Sequence, residues 1–288
     1  MLGRTRMRAV WRGVAALMAA GFACAAYIYL TLPDVRELRT QNPKTTAFIE
    51  LRTAQALQKG EKPKQVQRWV SYGRISENLK RAVLVAEDSA FWDHDGVDFK
   101  QLKESMEVNL ERMEFVRGAS TITQQLAKNL YLSPSRNPIR KMRELLIARR
   151  LEAELSKQRI LELYLNVVEW GDGVYGAEAA SRLYFGKPAA DLASQEAALL
   201  AGALVNARLL DPAHPNTRLR QRQQLVLSRM RGVTPPPVIA EPAAPDLLEL
   251  AEPAIVPPAG GVPAVLPGEI VPATKPSGGK PPGSPPGL

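Results

Sequence analysis

Between residues 76 and 231, hydrophobic positions recur every three or four residues, the spacing of one buried face of an α-helix. Ser76 precedes one such run, with Leu79, Val83 and Ala86, and serine is a favoured helix N-cap. Runs that alternate with period two are almost absent. The pattern therefore predicts a mainly α domain, with further helices from near 120, from 138 to 155, from 156 to 166, and over 176–184, 194–204 and 219–231.

A different pattern occupies the N-terminus, where Gly13–Leu32 contains no charged residue. Twenty helical residues rise about 30 Å, the thickness of a bilayer's hydrocarbon core. Four arginines precede this stretch and Asp34 follows it, which by the positive-inside rule predicts a cytoplasmic N-terminus and an external remainder. We therefore expect a single-pass membrane anchor.

The sequence around Cys24 leaves two alternatives to the anchor. Ala23-Cys24-Ala25 resembles a signal-peptide cleavage site, and Cys24 could carry a lipid. The apolar run continues past it through Ile28 and Leu30, which favours a retained helix in which Cys24 is a small apolar residue.

The C-terminal tail differs in composition from the rest of the chain. Of the 24 prolines, 16 lie in residues 235–288, a stretch with no aromatic residue. Such a composition cannot bury enough apolar area to offset its ordering entropy and is typical of disorder. The predicted organisation is a basic cytoplasmic segment (1–12), the anchor (13–32), a juxtamembrane segment (33–75), the domain (76–233) and the tail (234–288).

Composition limits the chemistry. The single cysteine excludes an intramolecular disulfide and a cysteine-rich metal site, and two histidines exclude a multi-histidine site, so any metal would be held by carboxylates. The net charge is +9, and because the tail is acidic overall, the positive excess belongs to residues 1–234. This charge suggests an anionic partner, and an externally placed domain argues against nucleic acid.

Three stretches are candidates for chemistry. The first begins where an apolar helix ends at Glu87 and contains five carboxylates within twelve residues. Glutamates at helix ends are usually solvated. Here the preceding Val83, Leu84, Val85 and Ala86 predict a partly dry wall, which would raise the pKa of Glu87 and suit it to act as a general base.

The second and third stretches carry cations. Ser120, Gln124 and Lys128 are four residues apart and share one helix face, next to a Gly-Ala-Ser-Thr helix start that suits an anion. Glu144 shares an apolar stripe with Ala148 and Leu151, and the spacing allows it to pair with Arg140 and Lys141. The alternative readings are an ordinary capped amphipathic helix and a salt-bridged helix start.

Four ordered motifs within residues 70–215 carry a resemblance to a known family. They are Glu87-Asp88-x-x-Phe91-x-x-His94-x-Gly96, Gly118-Ala-Ser-Thr-x-x-Gln124-Gln125-x-x-Lys128-Asn129, Arg140-Lys141-x-x-Glu144 and Arg159-Ile-Leu-Glu162-x-Tyr164-x-Asn166. A fifth segment begins at Glu196 and is followed by Asn206 and Pro212. The set resembles glycosyltransferase family 51, the peptidoglycan glycosyltransferases. Ala119 departs from the second glycine that is common in bifunctional relatives.

The resemblance implies a lysozyme-like α fold and polymerisation of lipid II into glycan strands at the outer face of the bacterial inner membrane, by inverting transfer of the growing chain to the GlcNAc 4-hydroxyl. It implies that Glu87 is the general base and that Glu144 positions the diphosphate or a divalent cation, Mg²⁺ or Mn²⁺. The donor diphosphate would be lined by Ser120, Gln124, Gln125, Lys128, Arg136, Arg140 and Lys141.

The resemblance also implies further properties and leaves alternatives. The expected partners are lipid II, the nascent strand, the membrane and other cell-wall synthesis or division proteins. The short, biased stretch after Asp211 predicts a member without a transpeptidase domain. Residues 100–117 are interpreted either as an amphipathic flap that touches the bilayer or as core. A lytic muramidase and a catalytically idle scaffold are the alternative functions.

Overall fold

The structure is a computed structural model that describes residues 2–112, 120–135 and 137–232. The helices are, in chain order, α1 (Leu2–Leu30), α2 (Ala47–Gln58), α3 (Glu77–Glu87), α4 (Phe99–Arg112), α5 (Ile122–Tyr131), α6 (Pro138–Glu154), α7 (Lys157–Val167), α8 (Ala177–Phe185), α9 (Ser194–Ala203) and α10 (Thr217–Met230). The strands are β1 (Val66–Gln67), between α2 and α3, and β2 (Glu169–Gly171) and β3 (Val174–Tyr175), between α7 and α8.

Side-chain caps set the helix starts close to where the sequence predicts them. The hydroxyls of Ser76, Thr121 and Ser156 accept hydrogen bonds from backbone N–H groups in the first turns of α3, α5 and α7. Asn137 does the same for α6, in which Pro138 occupies the first turn. These caps satisfy donors that the helix geometry leaves without partners.

The core is formed by the apolar faces of α3, α5, α6, α7, α8 and α9. α3 and α10 pack on α9, and α5 packs on α6 and α7. Burial of each large apolar side chain in this core stabilises the folded state by about 1.5–3 kcal/mol. The largest side chains of the core include Leu79, Phe91, Leu126, Ile147, Leu151, Tyr164 and Trp170. The predicted mainly α class is confirmed by this arrangement.

A small sheet and the helix α2 were not predicted. β3 lies between β1, which is parallel to it, and β2, which is antiparallel. Strands of two or three residues are too short to show a period-two pattern. At the β2–β3 turn, Gly173 has φ +75° and a Cβ there would lie 2.6 Å from the carbonyl oxygen of Lys64, so the turn requires glycine.

α1 contains the predicted anchor. Its stretch Trp11–Leu30 has a mean hydropathy of 1.8 and is long and apolar enough, by length and composition, to cross a membrane. Its end is docked on α6. Arg143 donates hydrogen bonds to the Oγ1 and carbonyl oxygen of Thr31, and Arg150 reaches the Leu32 carbonyl and lies over the Tyr29 ring. Cys24 is exposed on this helix.

Two sequence interpretations fall partly or wholly outside the described residues. The proposed flap over 100–117 begins as α4, where Phe99 is 70% exposed and Leu102 is also exposed, but residues 113–119 are not described. The predicted disordered tail lies outside the described residues as well.

Candidate active site

Glu87 is the last residue of α3, at the point where that helix meets α5. Its Oε2 accepts a hydrogen bond of 2.9 Å from the Nε2 of Gln125. Burial raises the pKa of Glu87, and the hydrogen bond from Gln125 and the charges of Arg222 and Lys128 oppose that rise. The apolar residues before Glu87 predicted a partly dehydrated environment for its carboxyl group. Burial is indeed the largest influence on the pKa of that group.

Gln125 is held in turn by Tyr164, a wholly buried residue of α7. The Tyr164 hydroxyl donates to Gln125 Oε1 at 3.1 Å, so the amide presents its Nε2 to Glu87. The sequence grouped Gln125 with the residues that line the diphosphate. The structure places its side-chain amide against the carboxylate of Glu87, and the residue also lines the cavity described below. A contact of Gln125 with the diphosphate stays a prediction.

Asp88 fixes the junction between α3 and α5. Its buried carboxylate accepts from the backbone N–H of Ile122 at 2.9 Å and from His94 Nε2 at 3.0 Å. The Gly96 N–H donates to His94 Nδ1, which leaves Nε2 as the donor toward Asp88. Of the five clustered carboxylates, Asp88 is therefore structural, Asp98 caps α4 through the Gln101 N–H, and Asp93 and Asp95 are exposed.

A second carboxylate lies among cations. Glu144 is 3% exposed on α6 and pairs through one oxygen with Arg140 and through the other with Lys141. Both pairs were predicted from the helical spacing. Arg140 also donates to the Ser135 carbonyl, on the segment that leads into α6.

Lys141 joins the two cationic motifs. Its Nζ donates to Ser120 Oγ at 3.1 Å and to Gln124 Oε1 at 3.0 Å, as well as to Glu144. Gln124 is 2% exposed and its amide also donates to the Gly96 carbonyl, so this side chain holds Lys141 in place. The structure thus brings Ser120, Gln124, Lys141 and Glu144 together, as the sequence suggested.

The charge of Lys128 interacts with both carboxylates, Glu87 and Glu144. Burial lowers its pKa, and the negative charge of Glu144 opposes that effect more strongly than the charge of Glu87 does. The charges of Arg140 and Lys141 lower its pKa further. Lys128 is therefore a cation whose charge influences both the Glu87 carboxylate and the cluster around Glu144. Arg136, the remaining predicted ligand of the diphosphate, lies outside the described residues.

A cavity of about 240 Å³ opens beside Gln125 and Lys128. Its other walls come from α2, through Phe48 and Arg52, and from the segment around Asn206 and Arg208. Sequence reasoning flagged Asn206 but missed Phe48 and Arg52, since residues before 76 showed no distinct pattern. The cavity gives a substrate access to the side that carries Gln125 and Lys128.

The described residues do not form a cation site of their own. Among them, no three His, Cys, Asp or Glu side chains cluster in a way that could hold a metal ion. Both oxygens of Glu144, the expected ligand, are engaged by Arg140 and Lys141. A hard divalent cation would need most of its oxygen ligands from a substrate diphosphate. The expectation of Mg²⁺ or Mn²⁺ stays a prediction.

Comparison with known proteins identifies the family. A family model described as Transglycosylase matches residues 53–231, which include both carboxylates, Glu87 and Glu144, and the cations around them, but not the cavity residues Phe48 and Arg52. The chain belongs to the transglycosylase family. The family expected from the motifs is therefore confirmed, and with it the mainly α glycosyltransferase domain that follows an N-terminal apolar helix.

Three relatives of this transglycosylase match over nearly their whole lengths. Proteins named biosynthetic peptidoglycan transglycosylase from Laribacter hongkongensis and Thiobacillus denitrificans are 42% and 43% identical, each over 78% of this chain and 97% of its own length. One of the same name from Azoarcus sp. is 43% identical over 80% of this chain and 100% of its own length.

Proposed function

We propose that this transglycosylase polymerises lipid II into the glycan strands of peptidoglycan. The growing chain, which is linked through its C1 to the undecaprenyl diphosphate that leaves, is the donor. The 4-hydroxyl of the lipid II GlcNAc attacks the anomeric carbon of the donor, with inversion. The observation that supports this most directly is the contrast between two carboxylates: Glu87 is half-buried with a raised pKa, and Glu144 is buried between two cations.

Each carboxylate suits one half of the reaction. The bond that forms joins the acceptor O4 to the donor C1, and the bond that breaks joins C1 to the diphosphate oxygen. The acceptor proton goes to Glu87, which is why that group needs a pKa above its ordinary value. The diphosphate leaves with its charge and needs compensating cations more than it needs a proton.

The cations for the leaving group lie on α5 and α6. Lys128, Arg140 and Lys141 surround Glu144, which holds two of them in place. Glu144 is thus a positioning residue for the cations, and the diphosphate would approach Lys128 on the side away from Glu87. A muramidase needs an acidic carboxyl group but no such set of cations, so this cluster favours synthesis over cleavage.

The membrane placement belongs to the same proposal. Both substrates carry lipid tails, and α1 would anchor the enzyme as a single-pass inner-membrane protein with its arginine-rich N-terminus in the cytoplasm and its catalytic domain in the periplasm. Other cell-wall synthesis or division proteins remain expected partners.

The test is polymerisation of labelled lipid II by the detergent-solubilised full chain, with and without divalent cation. Wild type is expected to produce glycan strands, and Glu87→Gln none. If both proteins form glycan strands, a residue other than Glu87 is the general base. Cleavage of purified strands without polymerisation would establish the muramidase, and no reaction by either protein under any condition would support the idle scaffold.

A further inference from the structure

A second, smaller cavity of about 90 Å³ adjoins the cavity beside Lys128. The two cavities share Arg52, Glu169 and Arg208 as wall residues. The other walls of the second cavity come from residues 59–64, which link α2 to β1, and from the β2–β3 turn. None of the residues unique to this cavity has a role in the reaction described above.

The charges that line the second cavity leave two cations without acidic partners. Arg52 pairs with Glu169 at 3.1 Å, and Asp172 pairs with both Lys64 at 2.9 Å and Arg208 at 3.0 Å. Lys59 and Lys62 also line it, are exposed, and form no ion pair within the described part of the chain. The third acid of the lining, the exposed Glu61, offsets one of these two lysine charges, so the lining of five cations and three acids still carries a net positive charge.

Tyr175 adds an unused donor. Its side chain is wholly buried on β3, it lines the cavity, and its hydroxyl has no hydrogen-bond partner among the described residues. Burial raises the pKa of Tyr175, so the hydroxyl stays protonated at neutral pH. A buried hydroxyl without a hydrogen-bond partner is unfavourable, and a ligand or water oxygen would supply that partner.

We propose that this cavity binds a carboxylate of the peptide that the muramoyl sugar of the substrate carries. The proposal rests on the proposed function. The donors are one neutral hydroxyl and two flexible ammonium groups, which match a small, exposed anion. The volume fits a group of carboxylate size, whereas a diphosphate already has its cations at Lys128 and Lys141. The shared wall lets a sugar in the first cavity extend its peptide into the second.

The experiment measures binding to the detergent-solubilised full chain, by calorimetry, of a soluble muramoyl pentapeptide and of the same compound with its carboxylates amidated. Wild type is expected to bind the amidated form about two- to fivefold more weakly, the range for two exposed charge contacts. The double variant Lys59→Gln/Lys62→Gln should bind both forms alike. Tyr175→Phe, which keeps the ring, should weaken binding of the carboxylate form. The matched control, Arg218→Gln/Arg220→Gln, removes two exposed charges from α10 and should behave as wild type.

Two results would overturn the proposal. One is a lysine double variant that still discriminates between the two compounds as wild type does. The other is full competition by inorganic phosphate at equal concentration, which would indicate a general anion site. Failure of the proposed function can be distinguished from failure of this binding proposal. In the first case, wild type makes no glycan strands from lipid II, whatever the binding constants of the two muramoyl peptides are.

Discussion

Gln125 donates its side-chain amide to Glu87 across 38 residues of sequence, and this hydrogen bond opposes the burial that raises the Glu87 pKa. The hydrogen bond therefore favours the ionised form of Glu87, whereas burial favours its neutral form. The Tyr164 hydroxyl fixes which end of the amide faces Glu87. The protonation state of the base therefore depends on two residues that need not touch the substrate.

Gln125→Leu is expected to shift the acid limb of the polymerisation rate to higher pH. Without the amide donor, burial acts on Glu87 with less opposition and its pKa rises further. Because a hydrogen bond to a charged group contributes about 1.5–3 kcal/mol, the rate on the acid limb of the profile should fall about tenfold or more. The measurement is a pH–rate profile, with Gln224→Leu on the surface of α10 as the control. An unshifted acid limb would show that Gln125 does not tune the base.

Glu144→Gln is expected to destabilise the domain. It is also expected to shift the alkaline limb of the pH–rate profile for polymerisation to lower pH. The change leaves Arg140 and Lys141 close together without their common anion, at a cost of about 2 kcal/mol for a pair that is only partly buried. It also removes the charge that most strongly sustains the pKa of Lys128, so this lysine loses its proton at lower pH.

Urea unfolding and a pH–rate profile test the two parts of this expectation. The exposed Glu104→Gln on α4 serves as the control. If Glu144→Gln matches wild type in stability and in its alkaline limb, the ion pairs contribute nothing and Glu144 has a different role.

Arg143→Gln/Arg150→Gln is expected to loosen the end of α1 from α6. The last carbonyl groups of a helix lack intrahelical partners, and these two arginines supply donors to the residues around Thr31 and Leu32. Hydrogen–deuterium exchange in micelles should become faster at residues 28–33, by several-fold. Arg149→Gln, a neighbour on the exposed side of α6, should leave it unchanged. Equal exchange in all three proteins would mean that apolar contacts alone hold the helix end.

The parts of the site that were predictable depend on short-range periodicity. The caps Ser76 and Ser156 and the ion pairs of Glu144 follow from spacings of three or four residues, which a helix converts directly into contacts. The role of Gln125 could not be predicted, because two adjacent glutamines face different partners that lie on other parts of the chain.

The unpredicted elements share a physical cause. β1 and β3 are two residues long, and their pairing joins Val66 to Val174 across more than 100 positions, which no local pattern encodes. The cavity at Tyr175 depends on that same pairing. Short strands and the sites between them are thus specified by tertiary packing, after the helices have been placed.

Glu87→Gln is expected to be more stable than wild type at neutral pH while it loses activity. Glu87 has a folded-state pKa above its unfolded value, so the folded protein binds more protons and stability falls as pH rises through that window. At pH 7 the ionised carboxylate is a cost that Gln removes, while its carbonyl oxygen still accepts from Gln125. Urea unfolding should give a higher free energy for Glu87→Gln at pH 7, with the difference closing once the pH is well below the ordinary glutamate pKa, where wild type is protonated in both states. A variant less stable than wild type at pH 7 would mean that Gln125, Arg222 and Lys128 together outweigh burial, and that the pKa of Glu87 is not raised above its ordinary value.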